Sequence, residues 1–538
     1  MESNSSEKVV KSKGVNVWKP MIYALVLVIG ILLGLMLTSI NNGKKVPFAQ
    51  VGYDKIDDIL TFVRLKYVDT VNTEALYETA IQDMLSSLDP HSNYIPASDL
   101  ARENESLEGN FEGVGIEFHI MDDTIIVVSP ISGGPSEEVG IKAGDRIVFI
   151  NDTTVAGIKI KNEDVLKKLR GAKGTKVKVG IVRNGGGKVY NYTIIRNKIP
   201  LYSVDAAFML NDETGYIRIN RFSATTYEEF TKGIRKLNEQ GLKKLIVDVR
   251  QNGGGYLNAA AEIADELLTG EKLIVYTKGN AYKRQDYVGA RDGLFEKGAL
   301  TILVDQGSAS ASEILAGAIQ DWDRGTIVGR STFGKGLVQE QYRLGDGSAL
   351  RLTVARYYTP SGRCIQKSYD KGKEAYNEAI YKRYEDGSLL HEDSVNKADS
   401  LIFKTAKGRV VYGGGGIRPD VFVPFDSTIF NVAYAEASSF IAEFTYKYYP
   451  QHQPEVEKFK DLKSFAQHFV VSDELYNNYL AFAKQQGMKA DSSKLLVYQS
   501  KIKSRIKAFF GRQRWQNEGY IYLQQAEDLD LKRALEKI

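Results

Sequence analysis

Strand-like apolar runs and amphipathic segments alternate through the middle of the 538-residue chain. The strand-like runs are 215–219, 244–249 and 300–304. The segments with apolar side chains at helical spacing are 227–237, 259–268 and 312–322. This alternation predicts an α/β fold over residues 201–428, with helices packed against mixed sheets.

Three other regions differ from this middle part. Residues 41–110 read as helices with apolar stripes that we expect to pack as a small cap. The stripes are Ile56, Ile59, Leu60, Val63 and Tyr67, and Ala75, Leu76, Ala80, Met84 and Leu85. Residues 111–200 combine short β-branched runs, glycine turns and one helix. Residues 429–538 have a helical pattern rich in aromatic side chains.

An uncharged apolar stretch occupies residues 21–40, after four lysines in residues 1–20. Twenty residues of helix are long enough to cross a bilayer core of roughly 30 Å. Because positive flanks stay inside, we expect a cytoplasmic tail (1–20), an inner-membrane anchor (21–40) and an extracytoplasmic remainder. A cleaved signal peptide is the alternative, but its apolar region is usually shorter and ends in small residues.

Charge and cysteine content exclude several classes of protein. Lys and Arg number 71 against 67 Asp and Glu, a net charge of +4, and the basic residues are interspersed with acidic ones. We therefore expect no nucleic-acid partner. The single cysteine, Cys364, excludes an internal disulfide, and His and Cys spacing offers no zinc cluster. No metal or cofactor is expected.

Serines crowd the start of the helix predicted at 312–322, in the segment 307-GSASASE-313. A hydroxyl at this place lies beside unpaired backbone N–H groups and the positive end of the helix dipole. That environment suits a nucleophile whose reaction develops negative charge. On this pattern alone, serines that only cap the helix remain the alternative.

Lys335 lies in 332-TFGKG-336, between apolar segments rather than among other charges. A lysine that loses water in a tight glycine-lined turn binds its proton less strongly. Its neutral amine then serves as a general base towards a serine hydroxyl.

These two motifs together resemble the active-site segment of the carboxyl-terminal processing (tail-specific) proteases, a serine–lysine peptidase family. In that family the nucleophile is the middle serine of the SASAS run and the base follows 25 residues later, which selects Ser310 and Lys335. The resemblance also implies that Gln339 orients the amine. It adds Asp321 as an acidic residue, for which we favour a plain helix-surface role.

A glycine-rich turn, 250-RQNGGGY-256, follows the strand predicted at 244–249. Three glycines let backbone N–H groups approach a bound atom closely. The same motif in the family helps to form the oxyanion hole, which implies the N–H groups of Gly254 and Ala311. A plain turn is the alternative, and no lysine follows the glycines as a phosphate-binding loop requires.

The segments 111-FEGVGIEF-118 and 140-GIKAGDRIVFIN-151 together resemble a PDZ domain. Such domains add an extended peptide to a sheet edge and hold its terminal carboxylate in a nest of backbone N–H groups. The resemblance implies a nest and a helical groove wall. The nest is Gly113, Val114, Gly115 and Ile116, and the wall residues are Val165, Leu166 and Leu169.

Arg170 ends the helix that forms this wall. A cation there usually only complements the helix dipole. The alternative hypothesis is a gate that senses bound peptide and relays its presence to the protease.

Three other features are assigned lesser roles. His91, in 88-LDPHSNYIP-96, is interpreted as a structural histidine rather than a catalytic one, because Lys335 makes a Ser-His-Asp triad unnecessary. Residues 367–409 form an insertion, either a flap, a partner surface or a solvated loop. The basic run 501–515 is read as packed helix, with an adaptor, self-association or a membrane surface as alternative uses of the C-terminal region.

We therefore expect a membrane-anchored serine endopeptidase that acts on proteins with free, recognisable C-terminal tails. A catalytically inactive, membrane-tethered PDZ scaffold is one rival function. A related α/β enzyme acting on acyl thioesters is another, although it would not need a domain that binds peptide termini.

Overall fold

The computed structural model describes residues 18–41, 55–183, 186–392 and 401–538, and the chain divides into two compact units, 1–79 and 80–538. The first helices are α1 (Trp18–Asn41), α2 (Lys55–Lys66) and α3 (Thr73–Ser86). α2 buries no residue and α3 buries only Leu85. The predicted stripes therefore lie on or beside these helices, and their packing as a cap stays a prediction.

The predicted cytoplasmic tail falls mostly outside the described residues, since 1–17 are not among them. α1 covers the stretch predicted as an anchor. Within the described part of the chain, however, no helix has the length and apolar character needed to cross a membrane. The transmembrane element of the expected fold is thus not supported by the structure.

Residues 110–200 form a small β-domain around its own apolar core. A short strand and helix precede it, β1 (Asn93–Ile95) and α4 (Ala97–Glu108). Its elements are β2 (Asn110–Gly113), β3 (Ile116–Met121), β4 (Thr124–Pro130), α5 (Pro135–Glu138), β5 (Arg146–Ile150), β6 (Thr153–Thr154), α6 (Asn162–Leu169), β7 (Lys176–Val182), β8 (Val189–Ile195) and β9 (Asn197–Pro200). The main sheet has the order β3-β4-β5-β7-β8, which leaves β3 at one edge. β2 pairs with β9 and closes the domain where the chain enters and leaves it.

The central region is a layered α/β core, as predicted. Its first half contains β10 (Val204–Met209), β11 (Thr214–Ile219), α7 (Thr226–Asn238), β12 (Lys244–Asp248), α8 (Leu257–Asp265), β13 (Leu273–Lys278), β14 (Gln285–Val288), β15 (Ala299–Val304) and α9 (Ala311–Asp321). Its second half contains β16 (Thr326–Gly329), β17 (Leu337–Arg343), β18 (Ala349–Tyr358), α10 (Gly372–Glu385), β19 (Ile402–Lys404), β20 (Val410–Tyr412) and β21 (Val421–Phe422).

The main sheet of this core has the order β10-β11-β12-β15-β16-β21, and all its pairs except β10·β11 are parallel. Strands buried on both faces explain the continuous apolar runs in the sequence. Because β12 and β15 are parallel neighbours, the turns that follow them meet at the same edge of the sheet. This places the glycine turn beside the serine segment.

A second sheet, with the order β1-β18-β13-β14, lies next to the first. β17 joins it by pairing antiparallel with β18. The segment with His91 is fixed to the same sheet, because β1 pairs with β18 and Asp89 accepts a hydrogen bond from Thr353. The second sheet therefore brings Gln339 and His91 to one place.

The C-terminal region is helical and has its own aromatic core. It contains α11 (Val432–Ser439), α12 (Ile441–Val456), α13 (Leu462–His468), α14 (Asp473–Gln485), α15 (Gln499–Gln524) and α16 (Leu529–Lys537). The basic run 501–515 lies in α15, where Ile502, Ile506 and Phe510 are buried, so ordinary helix packing accounts for it. α15 bends where Trp515 and Gln516 depart from helical angles.

Two arginines of the protease core hold the start of α16. Both terminal guanidinium nitrogens of Arg330, Nη1 and Nη2, donate to Asp530 at 2.8 Å, and Arg250 donates to Asp528 and Asp530. Arg250 is also paired with buried Asp248 at the end of β12. Breaking one side of such a buried ion pair costs about 3–5 kcal/mol, because the remaining charges lose their partner.

We expect Asp530→Asn to lower the free energy of unfolding of the full chain by about 3 kcal/mol, since two buried arginines lose a carboxylate. Urea unfolding followed by intrinsic fluorescence measures the change. Glu536→Gln, which removes the exposed partner of Arg533 on the same helix, is the matched control and should change stability by less than about 1 kcal/mol. Equal effects of the two substitutions would contradict a stabilising role for the buried ion pairs of Asp530.

Candidate active site

Ser310 lies at the N-terminus of α9, in a backbone conformation that few residues other than glycine adopt (φ +55°, ψ −113°). The hydroxyls of the three neighbouring serines have different partners. Ser308 donates to the carbonyl of Val249, and Ser312 donates to the carbonyl of Asn252. Among the described residues, the hydroxyl of Ser310 donates no hydrogen bond. The outer two serines therefore fix the segment, and the middle one is the candidate nucleophile.

The glycine turn packs directly against this serine. Gly254 has φ +99°, and a Cβ atom there would lie 2.7 Å from Ser310 Cβ and 3.0 Å from the backbone nitrogen of Ala311. The N–H of Gly254 donates to Asn252 Oδ1 at 2.9 Å. The amide that we predicted for the oxyanion hole thus already has an acceptor, whereas Gly253, on the same turn, lines the cavity in front of Ser310.

Lys335 is largely buried in the same cavity. Its Nζ donates to Gln339 Oε1 at 3.0 Å, and Gln339 Nε2 donates to the carbonyl of His91 at 2.7 Å. Burial lowers the pKa of Lys335 below its ordinary value, and the charge of Arg351 lowers it further. No hydrogen bond joins Lys335 to Ser310 among the described residues. Gln339 lies on strand β17, beside the irregularity in pairing between Val338 and Gln339, and contacts the amine from there.

The carboxylate of Glu313 connects the two halves of the site. It accepts hydrogen bonds from the backbone N–H groups of Ser310 (2.8 Å), Gly334 (2.8 Å) and Lys335 (2.9 Å), and from the hydroxyl of Thr332 (2.6 Å). Burial raises the pKa of Glu313 to about 7, although these hydrogen bonds act in the opposite direction. Our reading of the sequence gave Glu313 no role. Its position three residues after a helix-capping serine was the signal for a capping box.

A cavity of 480 Å³ opens in front of these groups. Its lining includes Ser310, Lys335, Gln339 and Gly253, together with Asn104, Leu107 and Glu108 from α4. The candidate nucleophile, the amine and the glycine turn therefore share one space of the size that a peptide segment needs.

Two minor predictions need correction. Asp321 is buried and forms an ion pair with Arg363 at 2.7 Å, so it is not a helix-surface residue. The insertion is not a purely solvated loop, because α10 within it packs over the Lys335 segment, where Arg383 donates to the carbonyls of Ser331 and Thr332.

The ring of His91 is hydrogen-bonded to the hydroxyl of Tyr376, and burial lowers the pKa of His91 to about 4.

A second cavity, of 580 Å³, lies beside the edge strand β3. Of the predicted peptide-binding residues it brings together Val114, Gly115, Ile116, Leu166 and Leu169. Val165 instead points into the core of the β-domain, where it is fully buried, and Gly113 belongs to β2 outside the cavity lining. These two residues are therefore not part of the groove surface.

Arg170 also lines this second cavity and links it to α4. Its guanidinium donates to both carboxylate oxygens of Glu105 at 2.7 Å and lies 4.8 Å from the ring centroid of Phe111. Glu105 is the direct neighbour of Asn104, which lines the cavity of Ser310. One short helix thus lines the cavity of Ser310 and bonds to a residue that lines the cavity beside β3.

The sequence matches known families along most of its length. Residues 213–372 match Peptidase family S41, 113–193 match the PDZ domain, and 38–98 match the N-terminal domain of the activating protease CtpB. Residues 432–516 match a family of unknown function.

Among curated relatives, the chain is 39% identical over 319 residues to the carboxy-terminal processing protease CtpB of Bacillus subtilis. That match covers 58% of this chain and 65% of the relative, just under two thirds of its length. A carboxy-terminal-processing protease of Bartonella bacilliformis is 37% identical, with 61% and 75% covered. Among solved structures, the photosystem II D1 C-terminal processing protease is 28% identical, with 68% and 86% covered and a TM-score of 0.35. The matches to the family models and to the curated relatives confirm the resemblance seen in the SASAS and TFGKG motifs, and the chain belongs to the carboxy-terminal processing proteases of peptidase family S41.

Proposed function

We propose that this protein is a serine endopeptidase that cleaves proteins captured through their C-terminal tails. The observation that carries this proposal is the shared cavity, in which Ser310 begins α9 and the buried amine of Lys335 is oriented by Gln339. The PDZ match and the groove beside β3 support capture of a peptide terminus.

In the proposed mechanism, neutral Lys335 accepts the proton of Ser310, whose oxygen attacks the scissile carbonyl. The oxyanion is stabilised by the N–H of Ala311 and by an amide of the glycine turn, either Gly254 after it releases Asn252 or Gly253. The lysine proton passes to the leaving amine, and the acyl-enzyme forms. Water, deprotonated by the same amine, then hydrolyses the ester.

The arrangement of Lys335 is typical of a resting enzyme. Its amine is bonded to Gln339 and not to Ser310. Lys335 Nζ must come within hydrogen-bond reach of the Ser310 hydroxyl before proton transfer. We propose that peptide binding at the β3 groove favours this shift, with Arg170, Glu105 and α4 as the connection between the two cavities.

Membrane attachment through residues 21–40, with the catalytic part on the extracytoplasmic side of the inner membrane, remains a prediction from the sequence. It rests on the uncharged apolar stretch and the lysines before it. Binding of an adaptor, or self-association, through residues 429–538 also remains a prediction. Membrane fractionation with and without residues 1–40 tests the first of these.

Two rival functions make different demands. An inactive PDZ scaffold does not require a buried lysine with a lowered pKa beside Ser310. An enzyme for acyl thioesters does not require the groove beside β3. Labelling by a fluorophosphonate together with peptide cleavage separates them, because a scaffold gives neither and a thioesterase gives labelling without cleavage.

Ser310→Ala should abolish cleavage of tail-bearing substrates, and Lys335→Ala should do so too. In the wild type, kcat/KM should rise with pH with a midpoint below the ordinary lysine value near 10.4, since only the neutral amine acts as base. A pH–rate profile measures this. Ser308→Ala is the control that should stay active. It removes a hydroxyl that donates to the carbonyl of Val249 and accepts from the N–H of Asp305. Undiminished cleavage by Ser310→Ala would remove the mechanism.

Gly254→Ala should reduce kcat by about a hundredfold, because its Cβ would meet Ser310 and because φ +99° strains any residue with a side chain. Gly253→Ala is the matched control: no atom lies within 4 Å of its added Cβ. Steady-state kinetics on a fluorogenic peptide compares the two. Similar losses for both variants would show that bulk anywhere in the turn is harmful and would contradict a specific contact between Gly254 and Ser310.

Arg170→Ala should abolish the stimulation of cleavage by an added tail peptide while leaving peptide affinity within about threefold, since the lost bond joins the groove to α4 rather than to peptide. Lys168→Ala, on the same helix, is the control. Cleavage is followed at increasing peptide concentration. Unchanged stimulation in Arg170→Ala would refute the relay.

A further inference from the structure

The groove beside β3 is not bounded by the PDZ domain alone. The bent end of α15, from the C-terminal region, lines the same cavity, and so does a loop of the protease core. The contributing residues are Arg512, Gln513, Gln516 and Asn517 from α15, and Asn220 and Arg221 from the core. The groove therefore has a third wall that an isolated PDZ domain lacks.

The side chains of β3 alternate between two environments, as in any strand. Ile116, Phe118 and Ile120 pack against the core of the PDZ domain. Glu117 and His119 lie on the other face and contact the C-terminal region. Glu117 pairs with Arg512 at 2.8 Å, and the ring of His119 lies 6.1 Å from that of Tyr446.

A peptide that extends the sheet at the free edge of β3 alternates in the same way. Its carboxylate lies at the nest, and its last side chain points towards Leu166 and Leu169 of α6. The penultimate side chain then points to the opposite face. That is the face on which Glu117 meets Arg512 and the third wall.

The third wall offers hydrogen-bond donors. Gln513 Nε2 is buried and has no hydrogen-bond partner among the described residues. Arg221 donates to Asn220, and it has no carboxylate partner in the part of the chain that the structure describes. A buried donor without an acceptor is costly, and a ligand that supplies the acceptor recovers that cost.

We propose that α15 reads the penultimate residue of the captured tail and that Gln513 selects a side chain with an acceptor oxygen, Asp, Glu, Asn or Gln. This inference rests on the proposed function, because it requires a C-terminal tail in the groove. It goes beyond that function by assigning a specificity-determining residue to the C-terminal region.

The test uses the full chain carrying Ser310→Ala, so that peptides bind without being cleaved. Fluorescence anisotropy gives Kd for three peptides that differ only in a penultimate Asp, Ala or Lys, and for the first peptide with an amidated C-terminus. The Asp peptide should bind about tenfold more tightly than the Ala peptide. Gln513→Glu should reverse the order of the Asp and Lys peptides and leave Kd for the Ala peptide within about twofold. Gln499→Glu, at the far end of α15 and outside the cavity lining, is the matched control and should change none of these values.

The possible failures are distinguishable. Equal affinity for the three free peptides, or a reversal that Gln499→Glu also produces, would overturn the role of Gln513 and leave capture of tails intact. An amidated peptide that binds as tightly as the free one would overturn carboxylate capture, and the reading of the penultimate residue with it. In that case, cleavage by active enzyme still reports separately on the Ser310 mechanism.

Discussion

The active site depends on one buried carboxylate that accepts four hydrogen bonds. Glu313 holds the N–H of Ser310 on one side and the N–H groups of Gly334 and Lys335 on the other. A neutral amide side chain at this place would put its NH₂ group, which only donates, opposite backbone N–H groups that also donate. The separation of serine and lysine is therefore set by an acid whose carboxylate touches neither reacting group. The hydrogen bonds that it accepts oppose the rise in its pKa that burial causes.

The strained backbone conformation at Ser310 is possible only because the neighbouring segments leave room for it. The conformation at φ +55° turns the serine out of the helix direction, and Gly254 leaves room for it because it has no Cβ. Parallel pairing of β12 and β15 supplies the common edge on which both segments lie. The fold thus determines which segments meet, and local strain and the missing side chain determine how closely they approach.

How much of the site the sequence predicts depends on how far apart along the chain the interacting residues lie. Ser310, Lys335 and Gln339 lie in short motifs with fixed spacing, and the strands and helices around them follow from apolar periodicity. The contacts of Arg250 and Arg330 with Asp530 join positions 200 or more residues apart, and no periodic pattern in the sequence predicts them. Asp321 was misjudged for the same reason, since its partner Arg363 is distant in the chain. Val165 shows a further limit, because the resemblance to a PDZ domain did not distinguish the side chains of this helix that face the groove from those that face the core.

Helix α4 joins the peptide groove to the catalytic cavity. It contacts Arg170 through Glu105 and the catalytic cavity through Asn104, Leu107 and Glu108. Coupling between two binding sites is reciprocal. If a tail bound at β3 favours the active arrangement of Lys335, an inhibitor that mimics the acyl intermediate must in turn increase the affinity for the tail. The tail belongs to the fragment that departs as the leaving amine, so this fragment would bind most tightly while the acyl-enzyme persists and less tightly once hydrolysis restores the resting arrangement.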